Sequence, residues 1–316
     1  MMTWTRTFSA QETPRTISSM RTLVVLAGPT AVGKTACGIE LASRYKAEII
    51  SADSRQIYRE TTIGTAVPSP EELARVKHHF IQVVSLEDPY HASRFEEEAL
   101  ARLEDLFNTN DVVFMVGGSG LYIDAVCHGI DLLPTADPVL RSELLDRFEK
   151  EGLAPLTARL KEVDPVSYGR VDLKNHMRVL KALEVSLQTG KPYSSFLTDS
   201  RKERPFRILR AALDMDRDDL YGRINARVDH MMESGLMEEV RDVLPFRGLT
   251  AMKTVGYREL FRYMDGEVSL EEAIDLIKRN TRKFARKQIT WFRKEEQYRW
   301  FRPDDPGAII RWIEQQ

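Results

Sequence analysis

An eight-residue segment near the start of the chain, GPTAVGKT at 28–35, restricts the fold more than any other feature. It follows an apolar run at 23–27 and precedes good helix formers at 34–44, so the order strand, tight loop, helix is predicted. The segment fits G-x-x-x-x-G-K-[ST], in which backbone N–H groups and a helix N-terminus surround phosphate oxygens. Lys34 adds a full charge, and the Thr35 hydroxyl can hold Mg²⁺. A di- or triphosphate site is predicted, and the molecule that carries the phosphates stays open.

Two further apolar runs, at 47–54 and 111–120, have the same form and end in polar or glycine-rich residues. Buried strands that alternate with helices are typical of parallel sheets, whose functional loops lie at the carboxyl ends of the strands. The predicted fold class is therefore α/β, with a P-loop NTPase-like parallel sheet flanked by helices.

The pattern changes in the middle of the chain. From 138 to 202 it is helical with no convincing strand, which predicts an all-helical insertion domain. The core domain then comprises 21–137 and 203–316, with a returning strand at 207–215 and long amphipathic helices after it. The first 20 residues lack the apolar stretch of a secretory signal and are expected to form a disordered extension, with a weak organelle-targeting peptide as the alternative.

Composition places the chain among soluble globular proteins. It has 46 Lys and Arg against 48 Asp and Glu, and 42% hydrophobic residues can build a core without staples. Cys37 and Cys127 show no C-x-x-C spacing, which argues against a disulfide framework or cysteine zinc site and fits a reducing cytoplasm. No apolar run approaches the roughly 18 residues of a membrane span. A cytoplasmic protein without a membrane partner is expected, and nothing in the pattern demands more than a monomer.

Asp53 lies at the end of the second predicted strand, where side chains point into the crevice above the sheet. From position alone it could hold a metal ion, act as a general base or cap the next turn. The third strand ends in GGSG at 117–120 rather than in an acidic residue, which disfavours ATP hydrolysis that does mechanical work. His78 and His79 are adjacent and point to different sides, with no Asp, Glu or Cys at metal spacing, so a histidine metal site is not predicted.

Positive charge is concentrated near the end of the chain. From Lys278 to Arg302 there are ten Lys or Arg and two Glu, a local balance of +8 in a chain of −2. Phe284, Trp291 and Phe292 interleave with these cations, as on surfaces that bind a polyanion. A solvated surface helix is the alternative. Five cations recur at spacings that a helix gathers on one side, namely Arg279, Arg282, Lys283, Arg286 and Arg293.

The chain resembles the bacterial-type tRNA dimethylallyltransferases, also called tRNA isopentenyltransferases. Seven ordered segments carry the resemblance: GPTAVGKT, SADSRQIYRE with TTIGTAVPS, HHFIQV, VGGSGLYIDAVCHG, NHMRVLKALEV, MKTVGYREL and NTRKFARKQITWFRK. The match runs from about residue 23 to residue 293, and seven ordered segments are more specific than the phosphate loop alone. The resemblance implies transfer of a dimethylallyl group from dimethylallyl diphosphate to N6 of the adenine 3′ of the tRNA anticodon, with release of diphosphate. It also implies Mg²⁺ as cofactor and the tRNA anticodon stem-loop as partner.

The resemblance assigns roles to residues. Asp53 would take a proton from the adenine N6 amine, a poor nucleophile because its lone pair is delocalised into the ring. Thr35 would order Mg²⁺ and the diphosphate, and Arg258 would grip the diphosphate with its fork of donors, unless it forms only a surface ion pair with Glu259 or Glu267. The diphosphate would lie on Gly28, Pro29, Thr30, Ala31, Val32, Gly33, Lys34 and Thr35. The tRNA would contact Asp53, Ser54, Arg55, Gln56, Ser119, Arg141, Met177, Arg178, Val179, Leu180 and Lys181.

Two positions depart from the usual family pattern. Ser119 stands where Thr is usual and keeps the hydroxyl, whereas Lys181 replaces the usual Arg and loses a fork of donors. Three other functions stay open: an adenylate prenyltransferase, a P-loop small-molecule kinase, and a non-catalytic nucleic-acid-binding module. The basic C-terminal helix would be unused with a mononucleotide acceptor, and the intact phosphate loop argues against the binding module.

Overall fold

The computed structural model describes residues 21–131, 133–135, 137–198 and 201–316. The extension predicted at 1–20 lies outside the described residues. The chain forms two compact units. The first contains the chain up to Cys127 and resumes at Arg204, and the second is His128–Glu203. The second unit therefore begins earlier in the chain than the predicted start of the insertion at residue 138.

A six-stranded sheet forms the centre of the first unit, in the order β3-β2-β4-β1-β5-β6. The strands are β1 Thr22–Ala27, β2 Ile49–Ala52, β3 His78–His79, β4 Val112–Gly117, β5 Arg207–Leu213 and β6 Arg299–Phe301. Every neighbouring pair is parallel, with Val24 of β1 opposite Phe114 of β4 and Leu209 of β5. All residues of β1, β2 and β4 are buried, so these mostly apolar strands do not alternate between a buried and an exposed face. The predicted α/β fold class is confirmed.

The two edge strands do not appear in the sequence-based prediction. β3 has two residues and β6 has three, which is too short for a period of two to be recognised. The expectation that only helices follow β5 is wrong at Arg299–Phe301, because these residues pair with the free edge of β5. In β3, the Nε2 atom of His79 lies 2.6 Å from Oε2 of Glu48, so this histidine has an acidic partner that its sequence neighbourhood does not reveal.

Helices follow and cover the strands. They are α1 Lys34–Tyr45, α2 Pro70–Arg75, α3 Ala92–Leu106, α4 Gly120–His128, α5 Pro138–Glu151, α6 Ala154–Val163, α7 Pro165–Arg170, α8 His176–Thr189, α9 Arg217–Glu233, α10 Leu236–Asp242, α11 Tyr257–Met264, α12 Leu270–Arg293 and α13 Pro306–Glu314. The start of α12 is a capping box, in which Oγ of Ser269 accepts a hydrogen bond from Glu272 N and Ser269 N donates to the Glu272 carboxylate. No helix among the described residues combines the length and apolar character that crossing a membrane requires.

The second unit has its own small core. Helices α5, α6 and α8 pack around buried Leu144, Leu156, Leu160, Val179 and Leu183. Side-chain caps begin several of these helices, because Asp and Asn oxygens accept the N–H groups that a first turn leaves unpaired. The caps are Asp137 on α5, Asp164 on α7 and Asn175 on α8. Within its described part this unit is helical and contains no strand.

Gly117, the last residue of β4, lies where the sheet leaves no room for a side chain. A Cβ atom at this position would be 2.2 Å from the backbone oxygen of Ala52 on the neighbouring β2. Because backbone rather than a flexible side chain would have to shift, Gly117→Ala is expected to lower the free energy of unfolding by about 3 kcal/mol. Urea unfolding measures this change.

Gly222→Ala is the matched control for this prediction. Gly222 lies inside α9, and nothing is within 4 Å of the Cβ it would gain. Alanine is a better helix former than glycine, so the free energy of unfolding is expected to rise by about 0.5–1 kcal/mol. Equal values for the two variants would contradict the steric argument at Gly117.

Candidate active site

A cavity of about 1160 Å³ opens at the carboxyl ends of β1, β2 and β4, within the first unit. The loops that follow these three strands all contribute to its wall, as is usual for parallel sheets. The predicted site residues Lys34, Thr35, Asp53, Ser119 and Arg258 line it together. The structure therefore brings into one space residues that are more than 200 positions apart in sequence.

The phosphate loop has the backbone that anion binding requires. Gly28 and Gly33 have φ angles of 148° and 106°, which side chains disfavour, and Gly33 immediately precedes α1. A Cβ on Gly28 would also lie 2.9 Å from the backbone oxygen of Leu213. The loop thus turns tightly between β1 and α1, in the kind of backbone conformation whose N–H groups can surround an anion.

Not every residue of this loop can donate to a phosphate. Pro29 has no N–H, and its carbonyl oxygen accepts a hydrogen bond of 2.7 Å from Nζ of Lys34. The Thr30 N–H already donates to Oε1 of Gln288 at 2.8 Å. Pro29 therefore offers no backbone N–H to a phosphate and the Thr30 amide already has a protein partner, while the assignment of all eight loop residues to the diphosphate stays a prediction. Ala31 and Val32 are buried and can contribute only backbone groups.

Two arginines of α9 join Lys34 at the loop. Nη1 of Arg227 lies 3.5 Å from Oγ1 of Thr30, and the Arg223 guanidinium is 3.6 Å from where a Cβ on Gly33 would lie. Burial lowers the pKa of Lys34 to about 8, while Asp53 opposes this shift and Arg227 adds to it. Burial and the neighbouring Arg223 also lower the pKa of Arg227. Three cations held this close form a strong anion site.

Sequence reasoning did not identify Arg223 or Arg227. Their spacing of four residues puts both on one side of α9, but the same spacing is common on solvated helix surfaces. Nothing local in the sequence shows that this side of α9 meets the phosphate loop. Only the packing of α9 in the first unit brings the pair into the cavity.

Asp53 uses one carboxylate oxygen as a cap. Its Oδ1 accepts hydrogen bonds from the N–H groups of Arg55 at 2.9 Å and Gln56 at 3.4 Å. This is the turn-capping role that the sequence left open. The other oxygen, Oδ2, accepts no hydrogen bond from any residue that the structure describes. One carboxylate therefore both fixes the turn and keeps an oxygen available in the cavity.

The residues beside Asp53 hold the site together. Oγ of Ser119 accepts a hydrogen bond of 2.9 Å from Ser54 N, which links the loops after β2 and β4. Nε2 of Gln56 donates to the carbonyl oxygens of Thr65 at 3.2 Å and Ala66 at 2.7 Å. Ser119, where the family usually has Thr, needs only its hydroxyl for this contact.

Gln288 of α12 joins two of the loops. It is 7% exposed, and its amide accepts from Thr30 N and donates from Nε2 to the Gly118 carbonyl oxygen at 2.9 Å. The amide carries an acceptor oxygen and a donor NH₂ group on separate atoms, so it makes both contacts at once. The phosphate loop and the loop after β4 are thereby fixed to α12, a connection that the sequence did not reveal.

The cations of α12 have different surroundings. Lys283 and Lys287 line the cavity beside Phe284 and Trp291. Arg282, by contrast, donates to Oδ1 of Asn225 at 2.6 Å, and two other cations form ion pairs, Lys278 with Asp229 and Arg293 with Asp214. Of the cations that the sequence groups on α12, Lys283 and Lys287 are the ones that line the cavity.

Arg258 forms the ion pair with Glu259 that the sequence suggested as an alternative, and it also lines the cavity. Its Nε donates to Oε1 of the nearly buried Glu259 at 2.6 Å, so the ion pair is present. The Glu259 carboxylate is itself held by Gly256 N and by Nδ2 of Asn280. Arg258 remains 48% exposed in its side chain and lines the cavity, and its terminal nitrogens bond no described residue. Glu259 therefore orients a guanidinium whose fork is available.

The remaining predicted tRNA contacts lie in the second unit. Nη1 of Arg141 donates to Oε2 of buried Glu184 at 2.7 Å, and Met177 is 40% exposed. Val179 and Leu180 are 0% and 4% exposed and belong to the core of this unit. The prediction of RNA contacts is wrong for these two side chains, because a continuous run along a helix always includes residues on its packed side.

The oxygen donors in the cavity fit a hard cation. Mg²⁺ prefers oxygen ligands and usually keeps several waters and phosphate oxygens, so it needs few protein ligands. The Thr35 hydroxyl lies in the cavity and bonds no described residue. Among the described residues, no cluster of three or more His, Cys, Asp or Glu could hold a metal alone. Any divalent ion here would therefore depend on ligands from a bound phosphate compound.

Comparison with known proteins gives a consistent picture. Residues 56–295 match the family model described as IPP transferase. The chain is 52% identical over 297 residues to tRNA dimethylallyltransferase 2 of Parabacteroides distasonis, and this alignment covers 94% of this chain and 99% of that protein. It is 50% identical over 297 residues to tRNA dimethylallyltransferase 1 of Bacteroides thetaiotaomicron, and this alignment covers 94% of this chain and 96% of that protein. Among solved structures, the full-length tRNA isopentenylpyrophosphate transferase of Bacillus halodurans is similar, with a TM-score of 0.68 and 35% identity. The match covers 93% of this chain and 97% of that one.

The three clustered cations predict opposite effects of one substitution on stability and on binding. Arg227→Met removes a partly buried charge that burial and Arg223 disfavour more than Glu72 and Asp53 favour it, so the unliganded protein is expected to unfold at an unchanged or higher temperature. The same change is expected to weaken binding of inorganic pyrophosphate by about ten-fold or more, because a charged donor is lost. Calorimetric titration and thermal unfolding measure the two effects. Arg241→Met, which removes a cation paired with Glu238 on the surface, is the control, and equal affinities in both variants would contradict the assignment.

Proposed function

The chain belongs to the IPP transferase family and acts in tRNA prenylation, and from this we propose the specific reaction that its cavity supports. The dimethylallyl group of dimethylallyl diphosphate is transferred to N6 of the adenine immediately 3′ of the tRNA anticodon, and diphosphate is released. One observation carries the proposal. The Asp53 carboxylate, with one oxygen available, shares a cavity with a phosphate loop surrounded by Lys34, Arg223 and Arg227.

The donor's leaving group suits the cationic loop. As the bond between the allylic carbon and oxygen breaks, negative charge grows on the diphosphate. Groups that bind this charge more strongly in the transition state than in the ground state accelerate the reaction. We propose that loop N–H groups, Lys34, Arg227 and the fork of Arg258 do so. We assign the diphosphate to residues 28 and 30–35, with Pro29 serving through its rigid backbone and its carbonyl contact to Lys34.

Asp53 is proposed as the general base. The N6 nitrogen forms a bond to the allylic carbon, the electron pair of the breaking carbon–oxygen bond leaves with the diphosphate, and the N6 proton passes to Asp53. Oδ2 is the oxygen suited to this role, because Oδ1 is engaged with the Arg55 and Gln56 N–H groups. The cap thus fixes the base while leaving one of its oxygens available.

We propose Mg²⁺ as the cofactor, held by the Thr35 hydroxyl together with oxygens of the donor diphosphate. When bound, Mg²⁺ supplies further charge neutralisation on the diphosphate. The residues of this chain then orient the donor. Lys34 and Thr35 both lie in the first turn of α1, and both line the cavity.

Contacts to tRNA are proposed from both units. In the first unit they come from Asp53, Ser54, Arg55, Gln56 and Ser119, with Lys283 and Lys287 of α12 at RNA phosphates. In the second unit they come from Arg141, Met177, Arg178 and Lys181. The target adenine must leave its stack to reach Asp53, and a single-stranded loop makes this step easier. We further propose that the enzyme acts as a monomer in the cytoplasm, where its buried cysteines Cys37 and Cys127 stay reduced.

The decisive experiment compares acceptors. Unmodified tRNA, AMP and ATP are each incubated with labelled dimethylallyl diphosphate and Mg²⁺, and the label is followed into each acceptor. Label in tRNA alone is expected, at the adenine 3′ of the anticodon after nuclease digestion. Label in AMP or ATP without tRNA would favour an adenylate prenyltransferase. Consumption of γ-phosphate would favour a kinase. A folded protein that binds pyrophosphate but labels nothing would overturn the proposal.

Asp53→Asn separates the two functions of this side chain. Asparagine keeps an oxygen that can cap Arg55 N and Gln56 N but cannot accept the N6 proton, so kcat is expected to fall by about 10²- to 10⁴-fold. Affinity for tRNA, measured by filter binding, should remain within about two-fold, since the turn is retained. Asp105→Asn, on the exposed surface of α3, is the control. Wild-type turnover in Asp53→Asn would exclude Asp53 as the base.

A further inference from the structure

Glu239 of α10 makes an unusual set of contacts with a loop that is distant in sequence. Its two carboxylate oxygens accept four hydrogen bonds, three from consecutive backbone N–H groups and one from a tyrosine hydroxyl. Oε2 accepts from Thr62 N at 2.8 Å and Ile63 N at 2.7 Å, and Oε1 accepts from Gly64 N at 2.8 Å and Tyr257 Oη at 2.6 Å. Neither the residue nor its contacts was apparent from the sequence.

The chemistry of this contact requires a carboxylate. All four partners are donors, and a carboxylate offers two acceptor oxygens with about four lone pairs. Successive N–H groups that converge in this way form an anion-binding concavity, and hydrogen bonds to an ionised acceptor are stronger than neutral ones. A glutamine at position 239 would keep one oxygen and present an NH₂ group to two of the four donors.

Tyr257 brings the loop and α11 into direct contact. A Cβ on Gly64 would lie 2.6 Å from Cζ and Oη of Tyr257, so the loop backbone rests on the tyrosine ring. Tyr257 is fully buried, and burial and the neighbouring Glu239 raise the pKa of its hydroxyl. The hydroxyl therefore stays protonated and continues to donate to Glu239.

The held loop leads to the base. Residues 62–68 form part of the cavity wall. On their far side, the Thr65 and Ala66 carbonyl oxygens accept from the Gln56 amide, and the Gln56 backbone N–H donates to Asp53. A continuous set of hydrogen bonds thus runs from Glu239 through the loop to Gln56 and Asp53.

We propose that Glu239 is a positioning residue, which with Tyr257 holds residues 62–66 so that Gln56 and the Asp53 turn are placed for the incoming adenine. The inference rests on the proposed function, since it concerns the placement of the base in that reaction. Glu239 lines no part of the cavity and so acts only through the loop. Its removal is expected to impair the chemical step while leaving the phosphate loop at 28–35 able to bind its ligand.

The test compares three variants with the wild-type enzyme. Glu239→Gln replaces an acceptor with a donor, Tyr257→Phe removes one of the four hydrogen bonds, and Glu238→Gln changes the adjacent exposed residue, which only pairs with Arg241 on the surface. At saturating tRNA, Glu239→Gln is expected to lower kcat by about ten- to a hundred-fold, Tyr257→Phe by less, and Glu238→Gln not at all. The binding stoichiometry of inorganic pyrophosphate, measured by calorimetry, should stay that of the wild type in all three.

Stoichiometry distinguishes positioning from general damage to the fold. A misfolded fraction would lower kcat and pyrophosphate stoichiometry together, and that parallel loss would overturn the proposal. Hydrogen exchange gives a second measurement: the N–H groups of Thr62, Ile63 and Gly64 should exchange faster in Glu239→Gln, while strands β1 and β4 stay protected. Wild-type kcat in Glu239→Gln, or unchanged exchange in the loop, would also overturn it.

Failure of the proposed function would look different. If the wild-type protein transferred no prenyl group to tRNA, the reaction assignment would fall. Faster exchange confined to the loop in Glu239→Gln would still support the structural part of the inference.

Discussion

Parallel pairing of β1 with β4 on one side and β5 on the other decides where the functional groups of this protein lie. β2, next to β4, ends in line with it, with Ala52 opposite Gly117, so Asp53 and Ser119 meet beside the phosphate loop. Strands that are buried on both faces cannot slide without exposing apolar surface or breaking their hydrogen bonds. The close approach at Gly117 fixes the same register sterically. The cavity is therefore a consequence of strand order.

Within that frame, the protein keeps several cations together in partly buried surroundings. Arg227 is repelled by Arg223 and in turn disfavours the charge of Lys34, and burial makes the charges of Lys34 and Arg227 costly, as their lowered pKa values indicate. A bound diphosphate would relieve both effects at once. An anion site of this kind gives up some stability in the free protein for affinity and for stabilisation of charge that develops on a leaving group.

Side chains from distant segments hold the loops in place. Gln288 of α12 connects the phosphate loop with the loop after β4, and Glu239 of α10 supports the segment at 62–64. Ser119 and Gln56 make further connections around Asp53. Each contact matches a donor to an acceptor that would otherwise be left unpaired near the protein interior, so the residue type is chemically specified. Residues expected only to contact substrate thus also serve to fix the site.

The sequence by itself determined what depends on neighbouring residues: the strand, loop and helix around 28–35, the apolar central strands, the helical middle segment and Asp53 at a strand end. These are local in origin, because they arise from hydrophobic periodicity, glycine conformation and helix N-terminal geometry. Only the tertiary structure decided that Arg227, Gln288 and Glu239 reach the cavity loops, since they do so across more than 150 positions of the chain. It also decided that Val179 and Leu180 face a core. Contacts of such separation are set by how helices pack on the sheet, and short-range patterns carry no record of that packing.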